Sequence, residues 1–252
     1  MNFDVDTLLT LSLVYFRVIS FLIMVPLFGR EFMPNTFKVF LATALSFAIF
    51  IYSGITPLKF TNTLDLFLLA LGEFLFGFTA GLIIRFIFDA TQMAGEFISL
   101  NMGLGLATIF NPQQPQTTIM AFLFSLLATL LFLSLGGAEI IILSLVKSLE
   151  RVPPGSFNLY EINAELFLRF FYESFLVAFK IALPVIIVML IFNLVLALIN
   201  RFIPQINVFI VGLPIQLFIG LIVLFLSLPV ILWVFTAHAK GYIIKFTTFL
   251  GG

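Results

Sequence analysis

Long apolar segments dominate this sequence and restrict the folds that it can adopt. The segment from Phe170 to Asn200, FFYESFLVAFKIALPVIIVMLIFNLVLALIN, carries only Glu173 and Lys180 as charged residues. About 20 consecutive apolar residues suffice for a helix to cross the hydrocarbon layer of a bilayer. Several segments reach that length, and the whole chain is 62% hydrophobic and only 10% charged. The sequence therefore predicts an all-α, polytopic membrane-type fold over residues 1–252, as a single domain.

The apolar runs and the Gly and Pro breaks between them predict six helices. The third would be about 55 Å long at about 1.5 Å per residue, so we expect it to bend or its second half to leave the lipid. The fourth is expected to be interrupted at Gly136 and Gly137, and residues 147–169 are predicted as the longest polar connection. The predicted helices are about Leu8–Phe28, Phe37–Ser53, Leu64–Asn101, Thr118–Leu149, Phe170–Asn200 and Asn207–Phe235.

The charge balance and the rare residue types exclude several classes of function. The chain has 12 basic and 12 acidic residues, no Cys and a single His, His238. Neither a nucleic-acid-binding patch nor a multi-His or Cys-ligated metal site follows from such a composition. The motifs G-x-S-x-G and H-E-x-x-H are also missing from the sequence. We therefore expect neither a redox enzyme nor a zinc enzyme, and no metal or cofactor.

Polar and small residues recur every four positions in LGEFLFGFTAGLIIRFIFDA, within the third predicted helix. Such spacing places them on one helix face, and the pair of glycines in it allows another helix to approach closely. Asp89 is the nearest local partner for Arg85, unless a neighbouring chain supplies one. We interpret this face as a packing surface, because a proton or substrate relay would need more titratable groups. Its members are Glu73, Gly77, Gly81, Arg85 and Asp89.

The segment NMGLGLATIFNPQQPQTT, from Asn101 to Thr118, separates two apolar helices without using a single charge. Its two glycines begin a dinucleotide-binding pattern, but Thr108 stands in place of the third glycine and no strand precedes it. An ordinary turn-rich loop after a helix end is the simplest explanation. The missing charge argues against that explanation, since loops in water usually carry some.

A second polar interruption, NLVLALINRFIPQINVFIVGLP, lies between the last two predicted helices. An amide side chain within lipid needs a hydrogen-bonding partner. We therefore expect interhelical hydrogen bonds and close packing near this helix connection. The residues assigned to this role are Asn200, Pro204, Asn207, Gly212 and Pro214.

Three stretches together resemble one family of secretion proteins. They are AGEFISLNMGLGLATIFNPQQPQ, FLSLGGAEIIILSLVKSLERVPPG and LPVIIVMLIFNLVLALINRFIPQINVFIVGLP, and the similarity is to the FliR/SctT family of type III secretion export-gate subunits. The resemblance implies a non-enzymatic subunit, present as one copy in a helical, multi-subunit channel with FliP and FliQ, and with FlhB around its entrance. It also implies unfolded flagellar proteins as substrates, and a location in the bacterial inner membrane at the flagellar basal body.

In this family the loop that matches residues 103–118 projects into the channel and helps to plug it. Two positions depart from the family pattern, since Asn111 stands where Asp is common and Ala138 where His is common. A loop without charge can close against its neighbours without burying a charged group. The resemblance implies a plug formed by Gly103, Leu104, Gly105, Leu106, Ala107, Thr108, Ile109, Phe110 and Pro112.

Two other functions are compatible with parts of this pattern. The equivalent subunit of a virulence injectisome shares the family and its fold. A small secondary transporter would also fit the composition, but it predicts an inverted repeat and a charged site at mid-membrane. The sequence shows no repeat, and only Arg85 and Asp89 could supply such a site.

Overall fold

The computed structural model of the protein describes residues 4–29, 33–60, 62–105, 117–157, 164–203, 205 and 208–250. Their regular structure is helical, as the sequence predicts, with a short 3₁₀ turn at Pro26–Phe28. The helices are α1 (Val5–Met24), α2 (Asn35–Ser53), α3 (Thr63–Asn101), α4 (Ile119–Ser134), α5 (Gly137–Arg151), α6 (Ala164–Phe202) and α7 (Val208–Leu250).

Proline and glycine set the ends of the first two helices. The prediction carried the first helix to Phe28, but α1 ends at Met24 and Val25 is extended, with φ −74° and ψ 119°. Pro26 explains this difference, because a proline ring disfavours the helical conformation of the residue before it. Helix α2 ends as predicted, and Gly54 follows it in the left-handed region with φ 58°.

A break divides the fourth predicted helix into α4 and α5. Gly136 precedes α5 with φ 76°, a conformation that favours glycine. The two helices are bent by 67° at this break. The sequence located the interruption correctly, but the size of the bend follows from backbone angles that composition does not specify.

The last two helices are longer than predicted. Helix α6 begins at Ala164, within the segment predicted as a polar connection, and α7 continues to Leu250 instead of stopping near Phe235. The prediction was wrong at these ends because hydropathy marks where a helix suits lipid, not where its backbone hydrogen bonds stop. Pro184 lies inside α6, and Pro214 and Pro229 lie inside α7. Membrane helices tolerate such prolines where neighbouring groups compensate for the lost hydrogen bond.

The chain forms two compact units. The first comprises Met1–Phe86, Phe132–Phe170 and Gly241–Gly252. Within it, α1 and α2 pack against each other, and Leu13, Val14 and Phe21 of α1 are fully buried. The ring of Phe21 lies 5.9 Å from that of Phe246, centroid to centroid.

The second unit comprises Ile87–Leu131 and Phe171–Lys240. Its apolar core takes residues from α3, α4, α6 and α7. Ala90 and Ala94 in α3, and Ala178 and Ala182 in α6, are four residues apart and nearly fully buried. Small residues at this spacing let helix backbones approach closely, which is how membrane helices gain much of their packing energy.

The outer faces of these helices remain apolar. Among the described residues, five helices are long and apolar enough to cross a membrane, or six if α4 and α5 together form one span. On α7, Phe225 is 74% exposed and Trp233 is 70% exposed in the isolated chain. Side chains of this kind need lipid or another subunit against them. The helical membrane fold predicted from composition is therefore confirmed.

Candidate functional site

The face predicted from the four-residue spacing packs, over its first half, against α1 of the same chain. A Cβ atom added to Gly77 would lie 2.1 Å from the carbonyl oxygen of Arg17, and one added to Gly81 would lie 2.7 Å from Met24 Cβ. Both glycines therefore permit a backbone contact that any side chain would block. Because the contacts advance along both helices together, α1 and α3 run parallel here.

Glu73, the first residue of this face, forms a buried ion pair with Arg17. The Nε–H of Arg17 donates to Oε2 of Glu73 at 2.5 Å, and the two side chains are 1% and 0% exposed. A charge in such surroundings is stable only with an opposite charge and further hydrogen bonds around it. The sequence placed Glu73 on this face but did not identify Arg17 as its partner.

Further contacts tie this ion pair to α5 and to the turn that follows it. Nη1 of Arg17 donates to the carbonyl oxygen of Ser148 at 3.1 Å. Oε1 of Glu73 accepts from the backbone N–H of Gly155 at 2.8 Å, and Gly155 has φ 79°. The guanidinium also lies over the ring of Phe76, 4.5 Å from its centroid. One polar cluster thus joins α1, α3, α5 and the turn at Gly155.

Arg85 and Asp89, the last two residues of the predicted face, are less buried in the isolated chain than the first three. Arg85 is exposed, whereas Asp89 is half-buried. The burial of the face therefore decreases between Gly81 and Arg85. A role of Arg85 and Asp89 in assembly stays a prediction.

The uncharged segment from Asn101 to Thr118 begins at the C-terminal end of α3, which has a well-defined hydrogen-bonding pattern. The N–H of Gly103 donates to the carbonyl of Leu100 at 3.2 Å, and the N–H of Leu104 donates to that of Ser99 at 2.9 Å. With Gly103 at φ 78°, this pair of bonds is a Schellman motif, which closes the last turn of a helix. Gly105 follows closely packed, since a Cβ on it would lie 2.8 Å from Leu100 Cδ2.

Helix α7 packs against this end of α3. Nε2 of Gln216 donates to the carbonyl oxygen of Asn101 at 2.6 Å. Met102 is fully buried and rests on Gly220, where an added Cβ would lie 2.6 Å from Met102 Cγ. A Cβ on Gly103 would lie 3.1 Å from Leu213 Cδ2. Neither Gln216 nor Gly220 was among the residues predicted from the sequence.

The chain re-enters regular structure at the start of α4. Oγ1 of Thr118 accepts from the N–H of Ala121 at 3.3 Å, which is the N-cap interaction that begins many helices. Farther along α3, a Cβ on Gly95 would lie 2.6 Å from Ala121 Cα. Helices α3 and α4 are therefore in backbone contact close to the start of α4.

The remaining predicted positions are placed as follows. Asn200 is exposed near the end of α6, Gly212 is buried in α7, and Pro214 is exposed within α7. Their role in assembly stays a prediction. The positions that lie outside the described residues are Leu106, Ala107, Thr108, Ile109, Phe110, Pro112, Pro204 and Asn207.

Comparison with known proteins gives consistent similarities along nearly the whole chain. Residues 8–241 match the family of bacterial export proteins, family 1. The chain is 51% identical over 245 residues to the flagellar biosynthetic protein FliR of Aquifex aeolicus, which covers 97% of this chain and 95% of that protein. It is 32% identical over 224 residues to FliR of Escherichia coli, with 85% of this chain and 82% of that protein covered.

A relative with another name is also similar. The secretion system apparatus protein SsaT of Salmonella typhimurium is 31% identical over 166 residues, covering 64% of this chain and 63% of that protein.

Proposed function

We propose that this chain, which belongs to the FliR family of bacterial export proteins, forms with FliP and FliQ the channel through which unfolded flagellar proteins are exported. Membership in this family makes it a component of the flagellar export apparatus in the inner membrane. In this proposal the chain contacts FliP, FliQ and FlhB, is present as a single copy per gate and lies in the flagellar basal body.

The similarity to FliR along 97% of the chain carries this proposal. The flagellar assignment is favoured over the injectisome alternative because the similarity to SsaT is lower and shorter, at 31% over 64% of the chain. A gate subunit also needs apolar surface for other subunits or lipid, and the exposed aromatic residues of α7, such as Phe225 and Trp233, provide it.

Within this role, residues 103–118 act as the plug of the channel. Both ends of the segment are anchored, through the Schellman motif at Gly103 and the N-cap at Thr118. Neither end carries a charge, so closure against neighbouring apolar surfaces buries no ionised group. A loop with fixed ends and an uncharged middle can open for a passing chain while its helices stay in place.

Deletion of residues 106–112 tests the plug. Gates assembled from the variant with FliP and FliQ should release potassium ions and a small fluorescent dye from vesicles faster than unmodified gates. Co-purification of FliP and FliQ with the variant serves as the control for assembly. Unchanged permeability in a fully assembled variant gate would show that the loop is not the plug.

Function in the flagellar system is tested separately. The gene should restore swimming and secretion of flagellar proteins in a strain that lacks FliR. Restoration of an injectisome instead, with no effect on flagellar export, would contradict the flagellar assignment.

A further inference from the structure

We propose that an exposed stripe of α6 around Lys180 is the docking face for a helix of another subunit of the export apparatus, and that this helix carries an Asp or Glu side chain opposite Lys180. The stripe consists of Leu176, Lys180, Leu183 and Ile187. This inference deepens the proposed function and rests on it, because it requires assembly with FliP and FliQ.

The stripe follows from the helical spacing of its members. They are separated by four, three and four positions, so they share one face of α6. Leu183 is 39% exposed and Ile187 49% exposed in the isolated chain, and Lys180 is exposed as well. The other side of this helix contributes residues such as Ala178 and Val185 to the core of the second unit. The stripe therefore faces away from the rest of that unit.

Lys180 is the charged residue of this stripe. Among the described residues it forms no ion pair. The nearest acidic residue along α6, Glu173, lies seven positions earlier, which is about 10 Å along the helix axis. The next stretch, residues 181–200, contains no charge. The described part of the chain thus presents a positive charge without a counter-charge on an apolar surface.

Lipid alone does not suit the exposed surface of α6. Exposed large apolar side chains extend from Phe171 to Phe202, about 46 Å along the axis, whereas the hydrocarbon layer is about 30 Å thick. A tilt of about 40°, the upper end of the usual range, shortens this length only to about 35 Å. If lipid covers residues 181–200, Phe171, which is 57% exposed, lies about 15 Å outside the hydrocarbon. If lipid covers residues 171–190, Lys180 lies near its middle, where an ammonium group is costly.

A helix from another subunit removes both difficulties. Its apolar side chains cover the stripe whether or not lipid surrounds it, and its carboxylate balances the ammonium of Lys180. Charge complementarity of this kind selects the partner and fixes the register in which the two helices pack.

Pro184 adds a second polar group at the same turn of α6. It lies inside the helix, four residues after Lys180. Proline has no N–H, so the helical hydrogen bond to the carbonyl of Lys180 cannot form. In apolar surroundings such a carbonyl needs another donor. This turn of α6 therefore has an ammonium and a carbonyl whose partners the helical ladder does not supply.

Carbodiimide crosslinking of the complex tests the contact directly. A carbodiimide joins the amine of a Lys to a carboxylate where the two groups touch. The full chain is co-expressed with FliP and FliQ, and the peptides joined to Lys180 are identified by mass spectrometry. We expect a bond to an Asp or Glu side chain of FliP or FliQ. Lys180→Arg keeps the positive charge but has no reactive amine, so it should assemble normally and lose only this crosslink.

Charge changes at Lys180 measure how much the contact contributes. Lys180→Met leaves the carboxylate of the partner without a counter-charge, and Lys180→Glu places two negative charges together. FliP and FliQ should dissociate roughly 30-fold faster or more from immobilised Lys180→Met, and faster still from Lys180→Glu. Lys59→Glu, at an exposed position between α2 and α3, is the matched control and should leave dissociation unchanged. The thermal midpoint of each free chain should change by less than about 2 °C, since both positions are exposed in it.

The outcomes separate this inference from the proposed function. Equal dissociation from the unmodified chain and from every Lys180 variant would overturn the inference and leave the proposed function standing. A crosslink only within the chain, for example to Glu173, would also overturn it. So would the lack of any crosslink to FliP or FliQ, and unchanged assembly would then indicate that lipid covers the stripe. If FliP and FliQ do not bind the unmodified chain, the proposed function fails together with this inference.

Discussion

Removing one partner of the buried ion pair between Arg17 and Glu73 should destabilise the protein strongly, whereas removing both partners should not. In Glu73→Gln the guanidinium keeps its bond to the carbonyl of Ser148 but loses the only carboxylate beside it among the described residues. Because both side chains are at most 1% exposed, water does not screen the charge that remains on Arg17. Removing one partner of such a pair costs about 3–5 kcal/mol.

The double variant Arg17→Met with Glu73→Gln should recover most of that cost. It holds no buried charge, and the amide oxygen of Gln can still accept from the N–H of Gly155, as Oε1 of Glu73 does. The carbonyl of Ser148 keeps its bond from Val152 N–H at 2.9 Å, so it is not left without a donor. We expect the double variant to lie within about 2 kcal/mol of the unmodified protein.

Thermal unfolding of the full chain in detergent, followed by circular dichroism, measures this difference. A loss of 1 kcal/mol lowers the midpoint by about 2–4 °C in a chain of this size, so each single variant should fall by about 6–20 °C. Lys147→Met, at an exposed position next to Ser148, is the control and should change the midpoint by less than about 2 °C. A double variant no more stable than the worse single variant would refute the reasoning.

Glycine substitutions provide the remaining predictions. Gly77→Ala should destabilise the chain more than Gly81→Ala, since its Cβ would lie 2.1 Å from a backbone carbonyl oxygen, whereas the nearest atoms to a Cβ on Gly81 lie at 2.7 Å and 2.9 Å; equal thermal midpoints would contradict this order. Gly77→Leu with Gly81→Leu should abolish co-purification of FliP and FliQ because α1 can no longer pack on α3, and normal recovery would refute it. Gly136→Ala meets nothing within 4 Å but has φ 76°, so we expect a loss of only about 1–2 kcal/mol in unfolding free energy, and a fall above about 5 kcal/mol would show another cause.

The sequence predicted the fold class because hydropathy is a property of composition, which needs no knowledge of contacts. It also located the interruption at Gly136, since two adjacent glycines rarely continue a helix. It missed the early end of α1 at Met24, although Pro26 was a visible signal. It also missed the start of α6 at Ala164, because charged residues such as Glu165 lower the local hydropathy and so indicate a polar loop.

Side-chain contacts between helices were harder to predict than the helices themselves. The spacing of Glu73, Gly77 and Gly81 indicates one helix face with small and polar residues, but spacing cannot say which helix covers it. Arg17 was the available signal, because a charge inside an apolar helix requires a partner. Gln216 carried no comparable signal, since its role depends on a backbone carbonyl that every residue possesses.

The distances along the sequence between Arg17 and its partners have a consequence for how the protein is made. Glu73 follows Arg17 by 56 residues and Ser148 follows it by 131. At synthesis rates of about 5–20 residues per second, the second partner emerges roughly 7–26 s after Arg17. Glu73 itself emerges roughly 3–11 s after Arg17 at these rates. Until then α1 carries a guanidinium without its carboxylate, and until Ser148 follows it also lacks the carbonyl partner. Lipid tolerates such a group poorly. The nascent helix therefore needs the insertion machinery, or water at the membrane surface, to shelter Arg17 until the later helices are synthesised.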